Sequence, residues 1–370
     1  MMLSGSPHEF EALLNYLKHH HGCDLMGYKR STLVRRFHHR MRSLPVKSYR
    51  EYLQYLQAHP QEYQMLLNDV FINVTGFFRD TEPWVYLGTD IIPQILSRKQ
   101  PDEQIRVWTA GCATGQETYS LLILLAEMLG LEACANRVQC YATDVDEDVL
   151  MQARDGIYSD RTVINIPPDW LEKYFQPTDE QGYQIHAMLR CITVFAHHDL
   201  AHNAPISKID LLVCRNVLMY FDPKTQATIL TRFHFALKDT GFLLLGKAEM
   251  PHHHRQIFTP VNLQYRIYAK GQPLELKDYL SIAPKSRNPQ TPDVPSPLHY
   301  FWQTAFEMNP VAQLAISREG DLIAANERAT DLFALTFEDF HRPFRSLELE
   351  KLLASQVGID QFYSDRRPVT

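Results

Sequence analysis

The segment "AGCATGQETYS", residues 110 to 120, sets two glycines, Gly111 and Gly115, around three small residues at the end of an apolar run. Polar residues follow, and then the apolar repeat of a helix. A strand that passes into a helix through such a loop brings backbone N–H groups close to a ligand, which suits an anionic or ribose-bearing cofactor. The glycines are not spaced as in the dinucleotide fingerprint, and no Lys-Ser or Lys-Thr pair closes a phosphate loop. More polar groups follow apolar runs further along: Asp144 in "YATDVD", Asp199 in "FAHHDL", and Arg215 with Asn216 in "LLVCRN". Asp144 is placed to take two ribose hydroxyls, which fits NAD as well as S-adenosylmethionine. It could instead cap the helix "EDVLMQAR", although Asp146 is available for that role.

These groups need elements to position them. From about residue 104 to 270 strands ("IRVWTAG", "VQCYATDVD", "CITVFAHHDL", "IDLLVC", "FLLLGKAE") alternate with helical segments. That alternation predicts an α/β fold with a doubly wound, mostly parallel sheet covered on both faces. Ligands in such sheets lie beyond the carboxyl ends of the strands, where the polar residues above fall. "LQYRIYAK" alternates as an edge hairpin strand would. Residues 158–197 do not fit a plain βαβ unit. A short helix "PPDWLEKYF" and a hairpin read in "GYQIHAMLRCITVFA" make them a small β-subdomain insertion.

Composition frames the rest. The 370 residues allow two or three domains, and 45% apolar with 22% charged residues is ordinary for a soluble globular chain. A net charge of −6 argues against a general nucleic-acid binder. No apolar run reaches a membrane span, no signal-peptide layout opens the chain, and six scattered cysteines suit a reducing cytoplasm. His19–His21 and His252–His254 read as helix ends or loops, so no metal site is expected.

Residues 1–75 read as an all-helical, basic N-terminal domain. Residues 28–50 hold eight Lys or Arg and no acid, with Leu33, Val34, Phe37 and Met41 as the apolar stripe. Uncompensated charge in an acidic protein points to an acidic partner for Arg35, Arg36, Arg40 and Arg42. Residues 76–103 read as a linker and cofactor-closing segment. Five prolines within 284–297 mark an extended linker, placed at 271–297. A strand, turn, strand and helix follow.

Four segments, "NVTGFFRD" (73 to 80), "AGCATGQETYS" (110 to 120), "ATDVDEDVLMQARDGIY" (142 to 158) and "IDLLVCRNVLMYF" (209 to 221), together resemble the CheR-type chemotaxis receptor methyltransferases. The resemblance covers roughly residues 8 to 270. It implies an all-α N-terminal domain and a class I, Rossmann-like S-adenosylmethionine-dependent methyltransferase domain with an inserted β-subdomain. The reaction it implies converts receptor glutamates to methyl esters in the cytoplasm, with S-adenosylhomocysteine as product. By the same resemblance Asn73, Thr75 and Arg79 close over the methionine end of S-adenosylmethionine. Gly111 belongs to the cofactor loop, Glu117 takes amino or loop contacts, and Asp144 takes the ribose. Asp199 and Leu200 flank the adenine, Arg215 and Asn216 line the pocket, and Tyr220 sits near the transferred methyl. Arg79 and Tyr220 are the expected catalytic pair, and the basic run faces the acidic helices of the receptor's cytoplasmic coiled coil.

Gln116 stands where the family usually has an acid and Thr118 where it usually has proline, which predicts weaker cofactor affinity. The loop "QPTDEQGYQ" lacks the glycine-rich sequence of members that dock a receptor's C-terminal pentapeptide, which argues against tethered docking. Residues 298–370 resemble the start of a PAS domain, with Asn326 at the matching asparagine, and would be a contact for other signalling proteins. Three alternatives stand beside this reading: a non-catalytic S-adenosylmethionine sensor or adaptor, an NAD enzyme, and an RNA methyltransferase. The NAD reading lacks a third glycine and a catalytic His or Lys. The RNA reading lacks stacking aromatics in the basic run.

Overall fold

Caps and apolar stripes agree along the first seventy residues. Ser6 and Glu9 form a reciprocal capping box before α1 (Pro7–His21), and Gly22 ends it in the left-handed region at φ 69°. α2 (Arg30–Met41), α3 (Tyr49–Ala58) and α4 (Glu62–Val70) follow. Phe10, Leu13, Leu14 and Leu17 of α1 pack with Leu33, Phe37 and Met41 of α2 and with Tyr52, Leu56 and Leu66. One carboxylate lies inside this core. Glu62, 3% exposed, accepts from Arg40 Nε and Nη2 at 2.7 and 2.6 Å and from the Tyr52 hydroxyl at 2.9 Å. Arg40, which the basic run left uncompensated, is thus paired within its own domain. Its compensating acids, Glu62 and Asp69, come from α4, more than twenty residues away in sequence.

A computed structural model describes residues 6–178, 182–251, 257–272, 314–316, 322–325, 327–333, 335 and 342. Met1–Ser286 form one compact unit and Arg287–Thr370 a second. Within the first, the segment expected to be a linker is largely helical. α5 (Thr81–Tyr86) runs through a π turn (Leu87–Ile91) into α6 (Ile92–Ser97). Trp84, Leu87, Ile91, Ile92 and Ile95 join the main core. The π turn shifts the apolar phase, and Pro83, Gly88 and Pro93 interrupt it, so no 3.6-residue period shows in the sequence.

The main domain continues with β1 (Ile105–Ala110), α7 (Gln116–Leu129), α8 (Leu131–Arg137), β2 (Val138–Asp144) and α9 (Glu147–Asp155). A small three-stranded sheet is then built from β3 (Ile157–Ser159), β4 (Phe175–Thr178) and β5 (Gly182–Ile185), with α10 (Asp160–Val163) and α11 (Pro168–Tyr174) between its strands. α12 (Ala187–Cys191), β6 (Thr193–His197), β7 (Ile209–Cys214), α13 (Pro223–Ala236), β8 (Leu237–Leu245), β9 (Phe258–Asn262) and β10 (Ile267–Lys270) complete it. The seven-stranded sheet has the order β6-β2-β1-β7-β8-β10-β9. Strands β6 to β8 are parallel in that order, and β10 is antiparallel to β8.

Strand residues alternate between two cores, as the two-residue pleat requires. Val107, Leu211, Val213 and Leu244 face one, while Trp108, Leu212, Cys214 and Leu243 face the other. The chain winds outward from β1 to β2 and β6, then returns to β7 on the other side of β1. The crevice for a ligand opens where those directions diverge.

Three sequence expectations change. The hairpin is β4–β5, one strand earlier than expected, because Ala187–Cys191 is helical. β6 belongs to the main sheet, so the inserted sheet and its helices end before Thr193 rather than at His197. β10 lies inside the sheet and β9 is its edge. In the second unit, β11 (Leu314–Ile316) pairs antiparallel with β12 (Leu322–Ala325), and a helix spans Glu327–Phe333. Asn326, the linker at 284–297 and His252–His254 lie outside the described residues. Among the described residues no single helix is long and apolar enough to cross a membrane.

Arg40→Ala removes the bidentate partner of a buried carboxylate. Its expected cost is about 2–3 kcal/mol in urea unfolding, at the low side of broken buried pairs because Arg40 keeps some water contact. Arg42→Ala, at an exposed position, should stay within about 0.5 kcal/mol. Equal losses in the two variants would refute the structural role of Arg40.

Candidate active site

The glycine loop is anchored from both sides. Gly111 N–H and Cys112 N–H donate to Thr143 O at 2.7 and 2.9 Å, and Ala113 N–H donates to the Asp144 carboxylate at 2.8 Å. Gly111 sits at φ +72°, where a Cβ would lie 2.3 Å from Val217 Cγ2. Only glycine satisfies both constraints. Asp144 also accepts from Val145 N–H at 2.8 Å and Asp146 N–H at 3.1 Å. Burial raises its pKa, and the three backbone donors pull it back toward the ionised form. The helix cap is Asp146: one oxygen takes Asp148 N–H at 3.0 Å, and the other takes Asn73 Nδ2 at 2.7 Å. Asn73 thus pins the segment after α4 to the start of α9.

Arg215, at the end of β7, holds the centre. Its side chain is 1% exposed. Nη1 donates to Glu117 Oε1 at 2.8 Å and to the Arg79 carbonyl at 3.0 Å, while Nη2 donates to Asp80 at 2.6 Å. The Trp84 ring lies 5.6 Å from the guanidinium. Glu117 is on the first turn of α7, and burial pushes its carboxyl up to about 7 against the pull of Arg215 and Arg79. The Arg79 guanidinium itself donates to Val74 O at 2.9 Å.

On the other wall, Asp199 accepts from Ala201 N–H and from His202 Nδ1, both at 2.8 Å, and Leu200 packs beside it. Sequence reasoning missed Glu249. This buried acid after β8 accepts from Gly246 N–H, Asn216 N–H and Met219 N–H at 2.8, 3.0 and 3.2 Å. It thereby fixes Asn216 at φ 59°, and the acid in "GKAEM" was its only signal.

These walls enclose a cavity of about 280 Å³. All ten residues expected at the cofactor reach it: Asn73, Thr75, Arg79, Gly111, Glu117, Asp144, Asp199, Leu200, Arg215 and Asn216. Tyr220 reaches it too. The N-terminal domain closes it with Tyr28, Thr32 and Leu33, a contribution not read from the sequence. Of the basic run, Arg35 and Arg36 lie close enough to Tyr220 to ease its ionisation together with Arg79, although burial dominates and raises its pKa. Arg40 is committed to Glu62, and Arg42 is exposed.

The cavity fits a nucleoside bearing an amino-acid tail. Asp144 offers a carboxylate at the end of β2, and Glu117 a carboxylate on the first turn of α7, which follows β1. Asn216 Oδ1 and His198 Nδ1, on residues lining the cavity, are buried without a protein partner. Gln116 does not line it, because its Oε1 accepts from Thr114 at 2.7 Å. Thr118 bonds Thr109 of β1 at 2.7 Å. Neither departure meets the ligand space, so the expected loss of affinity has no direct contact behind it.

A sheet of this order, with an antiparallel β10 beside β8, an acid closing β2 and a glycine turn closing β1, is the architecture of a class I S-adenosylmethionine-dependent methyltransferase, and the family matches select it over a dinucleotide-binding domain. Residues 8–71 match the CheR methyltransferase, all-alpha domain, and residues 73–267 the CheR methyltransferase, SAM binding domain. The chain belongs to the CheR methyltransferase family, and its cofactor is S-adenosylmethionine. It is 33% identical over 253 residues to the chemotaxis protein methyltransferase of Escherichia coli (strain K12), covering 64% of this chain and 82% of that one. To the chemotaxis protein methyltransferase of Borreliella burgdorferi it is 29% identical over 247 residues, covering 65% and 87%. It is also 32% identical over 250 residues to an uncharacterised 104.1 kDa protein in the hypE 3′ region of Rhodobacter capsulatus. That match covers 68% of this chain but 26% of the longer protein.

Gly111→Ala should destabilise the protein by about 1–3 kcal/mol through its left-handed backbone and the clash with Val217. S-adenosylhomocysteine affinity, read by calorimetry, should fall more than about tenfold. Adding Val217→Ala relieves the clash but not the backbone, so recovery should be partial. Full affinity in Gly111→Ala alone would show that the turn does not shape the site.

Proposed function

We propose that this protein transfers the methyl group of S-adenosylmethionine to glutamate side chains on the cytoplasmic coiled coils of chemotaxis receptors, forming glutamyl methyl esters. The observation that carries the reading is that Arg79 and Tyr220 share the cavity wall. Burial raises the Tyr220 pKa, and Arg36, Arg79 and Arg35 lie near enough to oppose that shift while Glu249 adds to it. Such a cluster beside a cofactor cavity attracts a carboxylate and screens its charge. A glutamate is already ionised at pH 7, so the acceptor needs no general base. The cofactor supplies an activated methyl group on sulfur.

What the chain must provide is alignment in a water-poor pocket, worth up to about 7–11 kcal/mol in favourable cases. Arg79 steers the acceptor carboxylate, and the Tyr220 hydroxyl orients it. Asn73 and Thr75 hold the closing segment, whose Arg79 carbonyl and Asp80 are tied to Arg215. Glu117 faces the cationic amino group of the cofactor, and Asp144 its ribose. Asp199 and Leu200 flank the base, with Arg215 and Asn216 behind. Arg35 and Arg36 meet acidic receptor helices at the cavity mouth.

Tyr220→Phe should lower the rate of alkali-labile methyl label appearing on receptor membranes while cofactor affinity changes little. Arg79→Ala should lower it further. Reversing charge at Arg35 and Arg36 should impair methylation of receptors in a salt-sensitive way. Wild-type turnover in all three would place methyl transfer elsewhere.

The Glu117 environment sets a pH dependence. With its carboxyl pushed up to about 7, the free protein holds a proton there below that pH. Binding a cationic amino group requires the ionised form, so the Kd for S-adenosylhomocysteine should be flat above pH 7. Below it, Kd should rise toward about tenfold per pH unit. Arg215 and Arg79 favour ionisation, while Asp80 and Glu249 oppose it. Glu117→Gln should bind more weakly and lose the acid limb. A wild-type Kd that stays constant from pH 5.5 to 8 would remove Glu117 from the amino-group site.

A further inference from the structure

We infer that Tyr28, a residue of the N-terminal domain, is part of the cofactor site and donates its hydroxyl to the nucleoside portion of the ligand. Four observations place it there. Tyr28 lines the cavity, across from the carboxyl ends of the strands. Burial raises the pKa of its hydroxyl well above the ordinary tyrosine value, and the nearby Asp199, Cys23 and Asp144 add to the rise; Asp199 and Asp144 line the same cavity. Its ring is held by Phe221 at 4.5 Å and by Phe71 at 6.2 Å between centroids.

Its backbone is held as well. Tyr28 forms an antiparallel bridge to Phe221, flanked by Lys29 N–H to Tyr220 O at 2.8 Å and Asp222 N–H to Gly27 O at 2.9 Å. Gly27 permits this approach, since a Cβ there would meet Thr225 Oγ1 at 2.8 Å. A phenol fixed by ring and backbone, with two carboxylates nearby, is a donor whose place is set before the ligand arrives. Ribose hydroxyls and adenine ring nitrogens are the acceptors that such a donor fits. The Lys29 N–H bond to Tyr220 O ties the same segment to Tyr220, so the stretch that meets the nucleoside also supports the residue at the acceptor.

This inference rests on the S-adenosylmethionine site described above, and its test separates the two. Tyr28→Phe keeps the ring contacts and removes only the hydroxyl. Calorimetry should give a Kd about tenfold weaker than wild type for S-adenosylhomocysteine, the worth of one hydrogen bond to a polar ligand. The same factor is expected for 5′-methylthioadenosine, which has the nucleoside but no amino-acid tail. The melting temperature of the unliganded variant should match wild type. Wild-type affinity of Tyr28→Phe for both ligands overturns the assignment while leaving the cofactor site standing. A loss confined to S-adenosylhomocysteine overturns it too, because the hydroxyl would then serve the amino-acid end. Failure of the wild-type protein to bind either ligand would instead count against the site itself.

Discussion

The buried guanidinium of Arg215 is the contact on which the site depends. Taking such a cation out of water costs several kcal/mol, and the cost is offset only when its donors are well paired. Arg215 is paired with Glu117 on α7, Asp80 on the closing segment, and the Arg79 carbonyl, with Trp84 close by. Two stretches far apart in sequence, residues 79–84 and the start of α7, are thereby held at the end of β7. The salt-bridge geometry and the raised pKa of Glu117 look contradictory. They agree because burial raises the carboxyl by more than Arg215 and Arg79 lower it, and Asp80, which shares the guanidinium, adds to the rise, so Glu117 is under-compensated. The cofactor's amino group, proposed to lie there, would supply a second cation.

Backbone conformations around the site carry strain that the rest of the fold sustains. Phe78, Asp80, Ala113 and Asn216 all have positive φ, between 47° and 59°. Each such residue costs on the order of 1–3 kcal/mol and persists only where neighbours over-determine it. Here the neighbours are identifiable. Ser120 Oγ accepts from Phe78 N–H, Arg215 holds Asp80, Asp144 accepts from Ala113 N–H, and Glu249 accepts from Asn216 N–H. The acids of the site thus have two tasks, shaping the backbone and presenting charge to a ligand.

Much of this was legible in residues 104–270 because the strands there are short apolar runs that end in a polar residue. Gly111, Asp144, Asp199 and Arg215 could be placed at strand ends from that pattern alone. The resemblance to the CheR family added the closing segment 73–80 and Tyr220, which no period reveals. What the sequence hid was long-range pairing. Arg40 looked uncompensated because Glu62 lies twenty-two residues on, and the helix at 81–97 was masked by a π turn. Tyr28 gave no sign of its place in the cavity, since its position depends on a single bridge to Phe221. Glu249 left only the acid itself as a signal for a related reason: its partners are backbone N–H groups, which carry no side-chain signature.

Binding of S-adenosylhomocysteine to Arg215→Lys tests the central role of this guanidinium most directly. Lysine keeps the charge but cannot span Glu117, Asp80 and the Arg79 carbonyl with a planar fork. Calorimetry should show affinity at least about a hundredfold weaker, with circular dichroism unchanged, because the closing segment and Glu117 would no longer be held together. Affinity within threefold of wild type would show that positive charge suffices, and that the site does not depend on the geometry of Arg215.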